Sequence, residues 1–145
     1  MFELLGFIFS AIAGAAMSIQ GVFNTRLSEK IGLYESNAFV QGTAFVLSLF
    51  AVFIVGRGNF REIASVEKYY LLGGVLGLII TITVMLGISK LSPTVAISTI
   101  LIAQLLVAAI IDAFGLFGSE KVAFGICKYI GIALMIGGVV VFKLK

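Results

Sequence analysis

Residues 92–118 read SPTVAISTILIAQLLVAAIIDAFGLFG, an apolar run that contains one amide and one carboxylate. Ser92 can accept a hydrogen bond as an N-cap, and Pro93 suits the first helical position, so the start of a helix is well marked. At 1.5 Å per residue, Gln104 lies roughly 18 Å and Asp112 roughly 30 Å beyond the cap, about the thickness of a hydrocarbon core. The run therefore predicts a membrane-spanning helix with both polar side chains on one face.

The whole chain has the composition of a polytopic membrane protein. Of its 145 residues 61% are hydrophobic, the mean hydropathy is +1.20, and there are only 10 basic and 7 acidic side chains. A soluble domain of this length has too little interior to bury so much apolar surface. Since the charges gather between long uncharged runs, we predict an all-α integral membrane protein with a single domain, residues 1–145.

Five segments are long and apolar enough to cross a bilayer, and only helices satisfy their own backbone groups there. The predicted transmembrane helices are residues 4–23, 36–55, 70–89, 93–111 and 122–142. The first is interpreted as a span rather than a signal peptide, because Glu3 stands where a basic segment is expected.

Several functional classes are disfavoured by residue content. The single Cys127 allows no internal disulfide, and with no histidine the chain offers no usable set of soft metal ligands. No nucleophile–base pair or phosphate loop is apparent, so we predict neither an enzyme nor a bound cofactor. The net charge of +3 is spread over short loops, which gives no support to nucleic-acid binding.

Amide side chains mark the faces that we expect to point into the bundle. Gln20 and Asn24 lie one turn apart near the predicted end of the first helix, and Asn37 and Gln41 lie one turn apart near the start of the second. Both pairs fall on the same side of the membrane, so the two amide faces should meet at one depth. The candidate cavity residues are Gln20, Asn24, Gln41 and Gln104, with interhelical packing as the alternative role.

Asp112 is the candidate for coupling or for pairing with a charged solute. A carboxylate inside the membrane costs a few kcal/mol on insertion scales and is therefore a functional candidate. The alternative is that Asp112, at the end of its span, reaches lipid headgroups or meets Lys121 or Lys128.

The distribution of basic residues does not select one orientation. The side that holds the N-terminus carries Arg57, Arg61, Lys68, Lys121 and Lys128, and the other side carries Arg26, Lys30, Lys90, Lys143 and Lys145. Because a Lys/Arg bias sets the direction of insertion, we hypothesise that the chain inserts both ways and forms an antiparallel homodimer. Such pairing would bring the partner's Asp112 to the level of the amide cluster. The alternative is one fixed orientation.

The sequence resembles the short five-helix YdcZ-like exporters of the drug/metabolite transporter (EamA-like) superfamily over nearly its whole length. The resemblance is carried by GAAMSIQGVFNTRLSEKIGLYESNAFVQGTAFV, GGVLG and IAQLLVAAIIDAFGLFG. Its most specific positions are Gln20, Asn24, Arg26 and Leu27 in the first helix and Gln104, Asp112, Phe114 and Gly115 in the fourth. Ala103 departs from the pattern, which usually has glycine before the fourth-helix glutamine. The resemblance implies a bacterial inner-membrane, multi-pass half-transporter.

The small multidrug resistance exporters are similar in size, but they work around an acid in the middle of the first helix. Glu3 lies at the membrane edge and Gln20 is an amide, so that mechanism is not transferred. We predict a transporter that moves a small polar or cationic solute by alternating access as an antiparallel homodimer. The alternative is a non-transporting scaffold, or the obligate half of a heterodimeric transporter.

Overall fold

The computed structural model describes residues 2–122 and 125–144, and every regular element in these residues is helical. The long helices are α1 (Phe2–Ile31), α2 (Leu33–Val55), α3 (Gly73–Lys90), α4 (Pro93–Phe114) and α5 (Ile126–Lys143). Short 3-10 turns cover Phe60–Ala64, Lys68–Leu72 and Leu116–Gly118. The all-α fold with five long helices is as predicted.

The ends of two helices differ from the sequence prediction. α1 continues to Ile31 instead of ending near residue 23, so Arg26 lies inside the helix rather than after it. Arg26, Glu29 and Lys30 are good helix formers, and Arg26 pairs with Glu29 at 3.0 Å across one turn. α5 begins at Ile126 rather than at Val122, which has no helical structure; residues 123–124 lie outside the described part of the chain.

Four helical segments in the described residues are long and apolar enough to cross a membrane: Glu3–Ile31, Leu33–Val55, Lys68–Lys90 and Pro93–Phe114. The fifth apolar helix, Ile126–Phe142, is shorter. It rises roughly 25 Å, and a bilayer accommodates a span a few Å short by local thinning.

The chain divides into two compact units, Met1–Lys90 and Leu91–Lys145. In the first unit α1 packs against both α2 and α3, and α2 packs against α3. α1 and α2 are joined by Gly32 alone, whose φ of 102° and ψ of 154° are open essentially only to glycine. A Cβ at this position would also collide with the Glu35 carboxylate. The chain can therefore reverse within one residue.

α1 and α3 approach each other closely at Gly21. A Cβ placed on Gly21 would lie 2.9 Å from Cδ1 of Ile88 and 3.1 Å from Cγ1 of Val84. In a membrane, where helices gain little from hydrophobic association, such close packing over a small residue is a main source of stability.

The second unit contains α4 and α5, which pack against each other. The predicted cap of α4 is confirmed, since the Ser92 hydroxyl accepts a hydrogen bond from the Val95 backbone N–H at 3.4 Å and Pro93 opens the helix. Gly115, which has a φ of 64°, follows the last residue of α4 and caps the helix. Beyond it the Val122 N–H donates to the Asp112 carbonyl at 2.9 Å, which folds the connecting loop back onto the end of α4.

Candidate functional site

The buried interior of the first unit is mainly polar, and its apolar side chains face outward. Among its described residues, Met85 and Ile88 are the buried hydrophobic side chains, whereas four polar residues are at least nine-tenths buried: Asn24, Thr25, Ser36 and Asn37. Large apolar residues such as Phe53, 86% exposed, cover the outside. We call Asn24, Thr25, Ser36, Asn37 and Met85 the polar junction, where α1, α2 and α3 meet.

The hydroxyl of Ser36 holds the polar junction together. It is fully buried, and it donates to the backbone carbonyl of Asn24 at 3.3 Å and approaches the Met85 sulfur at 3.8 Å. One side chain of α2 thus contacts both α1 and α3. The Thr25 hydroxyl is satisfied within its own helix, by donation to the Gly21 carbonyl at 2.7 Å.

Asn37 is the exception in this junction, because its amide oxygen accepts no hydrogen bond from the described residues. The residue is only 5% exposed. Hydroxyls elsewhere on the helices, such as those of Thr43, Thr83 and Thr99, donate to the carbonyl four residues earlier at 2.8 Å. A buried acceptor without a partner costs about 1–3 kcal/mol, so its retention calls for an explanation. The Asn37 oxygen can therefore accept a hydrogen bond from a bound molecule that carries a hydrogen-bond donor.

Gln41 lies one turn after Asn37 on α2 and reaches α3. Its Nε2 donates to the Thr81 hydroxyl at 3.4 Å, and that hydroxyl donates to the Gly77 carbonyl at 2.8 Å. Gln41 is half-buried, and its amide nitrogen lies 3.7 Å from where a Gly77 Cβ would stand. Gln41 of α2 therefore contacts α3. This is the interhelical packing contact that was predicted from the sequence as the alternative to solute binding.

The structure brings some predicted site residues together and leaves others apart. Asn24 is buried in the polar junction. Gln41 lies on α2, one turn after Asn37 of that junction, and contacts Thr81 of α3. Gln20 and Gln104 are exposed on α1 and α4. Solute contact by these four side chains stays a prediction.

Four junction residues were absent from the predicted cavity set: Thr25, Ser36, Asn37 and Met85. Asn37 was predicted only as an amide on an inward face of the second helix. Asn24 and Thr25 follow one apolar run and Ser36 and Asn37 precede the next. These two adjacent polar pairs are the signal that could have identified Thr25 and Ser36. The burial of Met85 has no comparable signal in the sequence.

Asp112 lies in the second unit, half-buried at the end of α4. It borders a cavity of about 290 Å³ between α4 and α5. The cavity is lined by Leu105, Ala108, Ala109, Asp112, Lys128, Gly131, Ile132 and Met135. Its wall is apolar except for the two charged residues.

Within the described residues, no group of three or more His, Cys, Asp or Glu side chains could hold a metal ion. The polar junction consists of amides, hydroxyls and a thioether, so the chemistry that it offers is hydrogen bonding by neutral groups.

Comparison with known families gives one match. The family model described as "Putative inner membrane exporter, YdcZ" matches residues 5–141, nearly the whole chain. No curated protein and no solved structure shows significant similarity to it.

Proposed function

Because the chain belongs to the YdcZ family of inner membrane exporters, we propose that it moves a small polar or cationic solute by alternating access as an antiparallel homodimer. The observation that carries this proposal is the polar junction, above all the buried amide oxygen of Asn37, which has no hydrogen-bond partner among the described residues. In a helix bundle whose surface is apolar, such an acceptor marks a position on a solute pathway.

The chemistry of the polar junction favours a neutral or cationic solute. Its side chains are amides, hydroxyls and a thioether, which carry no fixed charge. A cation or an alcohol supplies the donor that the Asn37 oxygen lacks, whereas an anion would find no positive charge there. The nearest basic residue along α1, Arg26, is exposed and already pairs with Glu29. The coupling role of Asp112 and the solute contacts of Gln20 and Gln104 remain part of the proposal.

Burial in the first unit supports a second copy of the chain. In each helical segment we consider an apolar stretch of 18 residues. Only 6% of this stretch is buried in α1, 11% in the Lys68–Lys90 segment and none in α2. Helices so exposed line a water-filled path only when other helices cover them. An inverted copy would supply these helices, and the equal numbers of Lys and Arg on the two sides permit inverted insertion.

Insertion in both directions predicts a two-sided signal. We expect a C-terminal reporter that is active only in the cytoplasm and one that is active only outside to give comparable signals on the full chain. Adding three lysines after Lys145 should bias the chain to one orientation, so that one reporter loses most of its signal. A signal from only one reporter on the unaltered chain would contradict dual insertion and would favour a fixed orientation or a heterodimer.

Transport itself is tested in two steps. A thermal-stability screen of the purified protein against amines, polyols, amides and inorganic cations should find a stabilising solute, because a ligand of the native state stabilises it by mass action. Liposomes that contain the protein should then pass that solute faster than empty liposomes. A stable protein with no flux of any stabilising solute would instead support the scaffold.

A further inference from the structure

We propose that the cavity between α4 and α5 is a binding site for a phospholipid whose headgroup carries both a primary ammonium and a phosphate, as in phosphatidylethanolamine. Asp112 accepts hydrogen bonds from the ammonium, Lys128 faces the phosphate, and the apolar wall holds one acyl chain. This site lies in the second unit, and it gives Asp112 a role in lipid binding beside the coupling role proposed above.

The two charged residues lie at the same end of the helix pair. Asp112 is two residues before the end of α4, and Lys128 is in the first turn of α5. Leu105 and Met135 line the cavity seven residues further along their helices, which is roughly 10 Å deeper. The cavity therefore has a charged mouth where the helices end and an apolar body that runs along them. A phospholipid anchored at the membrane interface has the same polarity from head to tail.

Small residues make room for the acyl chain. Ala108 and Ala109 on α4 and Gly131 on α5 line the cavity. The volume of about 290 Å³ is just below the roughly 300–1,000 Å³ of small-molecule sites, which suits one hydrocarbon chain rather than a bulky solute.

The pair of opposite charges selects among headgroups. An anionic headgroup with no ammonium would pair with Lys128 but would face the Asp112 carboxylate. A quaternary ammonium has the right charge but no N–H to donate, whereas a primary ammonium forms charge-assisted hydrogen bonds. The folded loop adds one charge of each sign, Glu120 and Lys121, and Cβ of Lys121 lies 3.4 Å from where a Gly115 Cβ would stand. The mouth is thus suited to a zwitterionic head.

Native mass spectrometry of the full chain, purified in detergent, tests the site. The protein is incubated with equal amounts of phosphatidylethanolamine, phosphatidylcholine and phosphatidylglycerol that carry the same acyl chains. We expect phosphatidylethanolamine to be retained about tenfold better than either competitor, the effect of one charge-assisted hydrogen bond. Asp112→Asn, which removes the charge, and Ala108→Leu, which fills the cavity, should each abolish this preference.

Two matched variants serve as controls. Glu120→Gln removes a carboxylate from the adjoining loop, and Ala103→Leu adds the same bulk to an exposed position of α4 that does not line the cavity. Both should keep the preference. Equal retention of the three lipids, a preference for phosphatidylglycerol, or an unchanged preference in Ala108→Leu would overturn the proposal. If a variant cannot be purified, the competition on the unaltered chain still decides.

Discussion

The Asn37→Leu variant is expected to unfold at a higher temperature than the unaltered protein and to lose all stabilisation by the transported solute. Asn37 is 5% exposed and its amide oxygen has no partner among the described residues. Leucine has a similar size and no polar group, so it removes a desolvation cost of about 1–3 kcal/mol. The same change removes the acceptor that we assign to the solute. Both effects are measured by thermal unfolding in detergent, with and without the solute found in the screen.

The direction in which the unfolding temperature changes distinguishes a role of Asn37 in solute binding from a role in packing. If Asn37 were a packing residue, its replacement would lower the unfolding temperature. Ala38→Leu is the matched control, because Ala38 is the next residue of α2 and is exposed. This variant should keep both the original unfolding temperature and the response to solute. A destabilised Asn37→Leu protein that still responds to solute would refute the role of Asn37.

Gly21→Val is expected to destabilise the first unit by about 1–3 kcal/mol, the usual cost of overpacking. Even a single Cβ on Gly21 would approach Ile88 to 2.9 Å and Val84 to 3.1 Å, and valine adds two methyl groups to it. α1 would have to move away from α3, and Asn24, less than one turn further along α1, would move with it. We expect a lower unfolding temperature and a weaker response to solute.

A matched glycine and a compensating change make this prediction specific. Gly14 lies two turns earlier on the same face of α1, and a Cβ there would meet nothing within 4 Å. Gly14→Val should cost less than Gly21→Val. In the double variant Gly21→Val with Ile88→Ala, the shortened side chain makes room for the valine, so the combined loss should be smaller than the sum of the two single losses. Simple additivity would show that the two positions do not contact each other.

The fold was largely predictable because its signals are local. Ser92 and Pro93 mark the start of α4, and four of the apolar helical segments in the described residues have the length of a membrane span. The end of α1 was not predictable in the same way. Polar residues after Phe23 are typical of a turn, but the reversal occurs only at Gly32, where the backbone conformation requires glycine.

The site was predictable only in part, because burial depends on how the helices pack. Amide spacing identified Asn24 and Gln41 as inward candidates. Gln20 and Gln104 were predicted as cavity residues as well, although both are exposed in the structure. Which residues are buried at the polar junction depends on the approach of α3 to α1 over Gly21. This contact joins residues far apart in sequence, so no local pattern reveals it.

The most direct test of a solute site at the polar junction is the rate at which the solute found in the screen crosses liposome membranes. Liposomes with the unaltered protein, with Asn37→Leu and with Ala38→Leu are compared at equal protein density. The proposal predicts flux with the unaltered protein and with Ala38→Leu, and a loss of about tenfold or more with Asn37→Leu, equivalent to one lost hydrogen bond. Equal flux through all three proteins would contradict it.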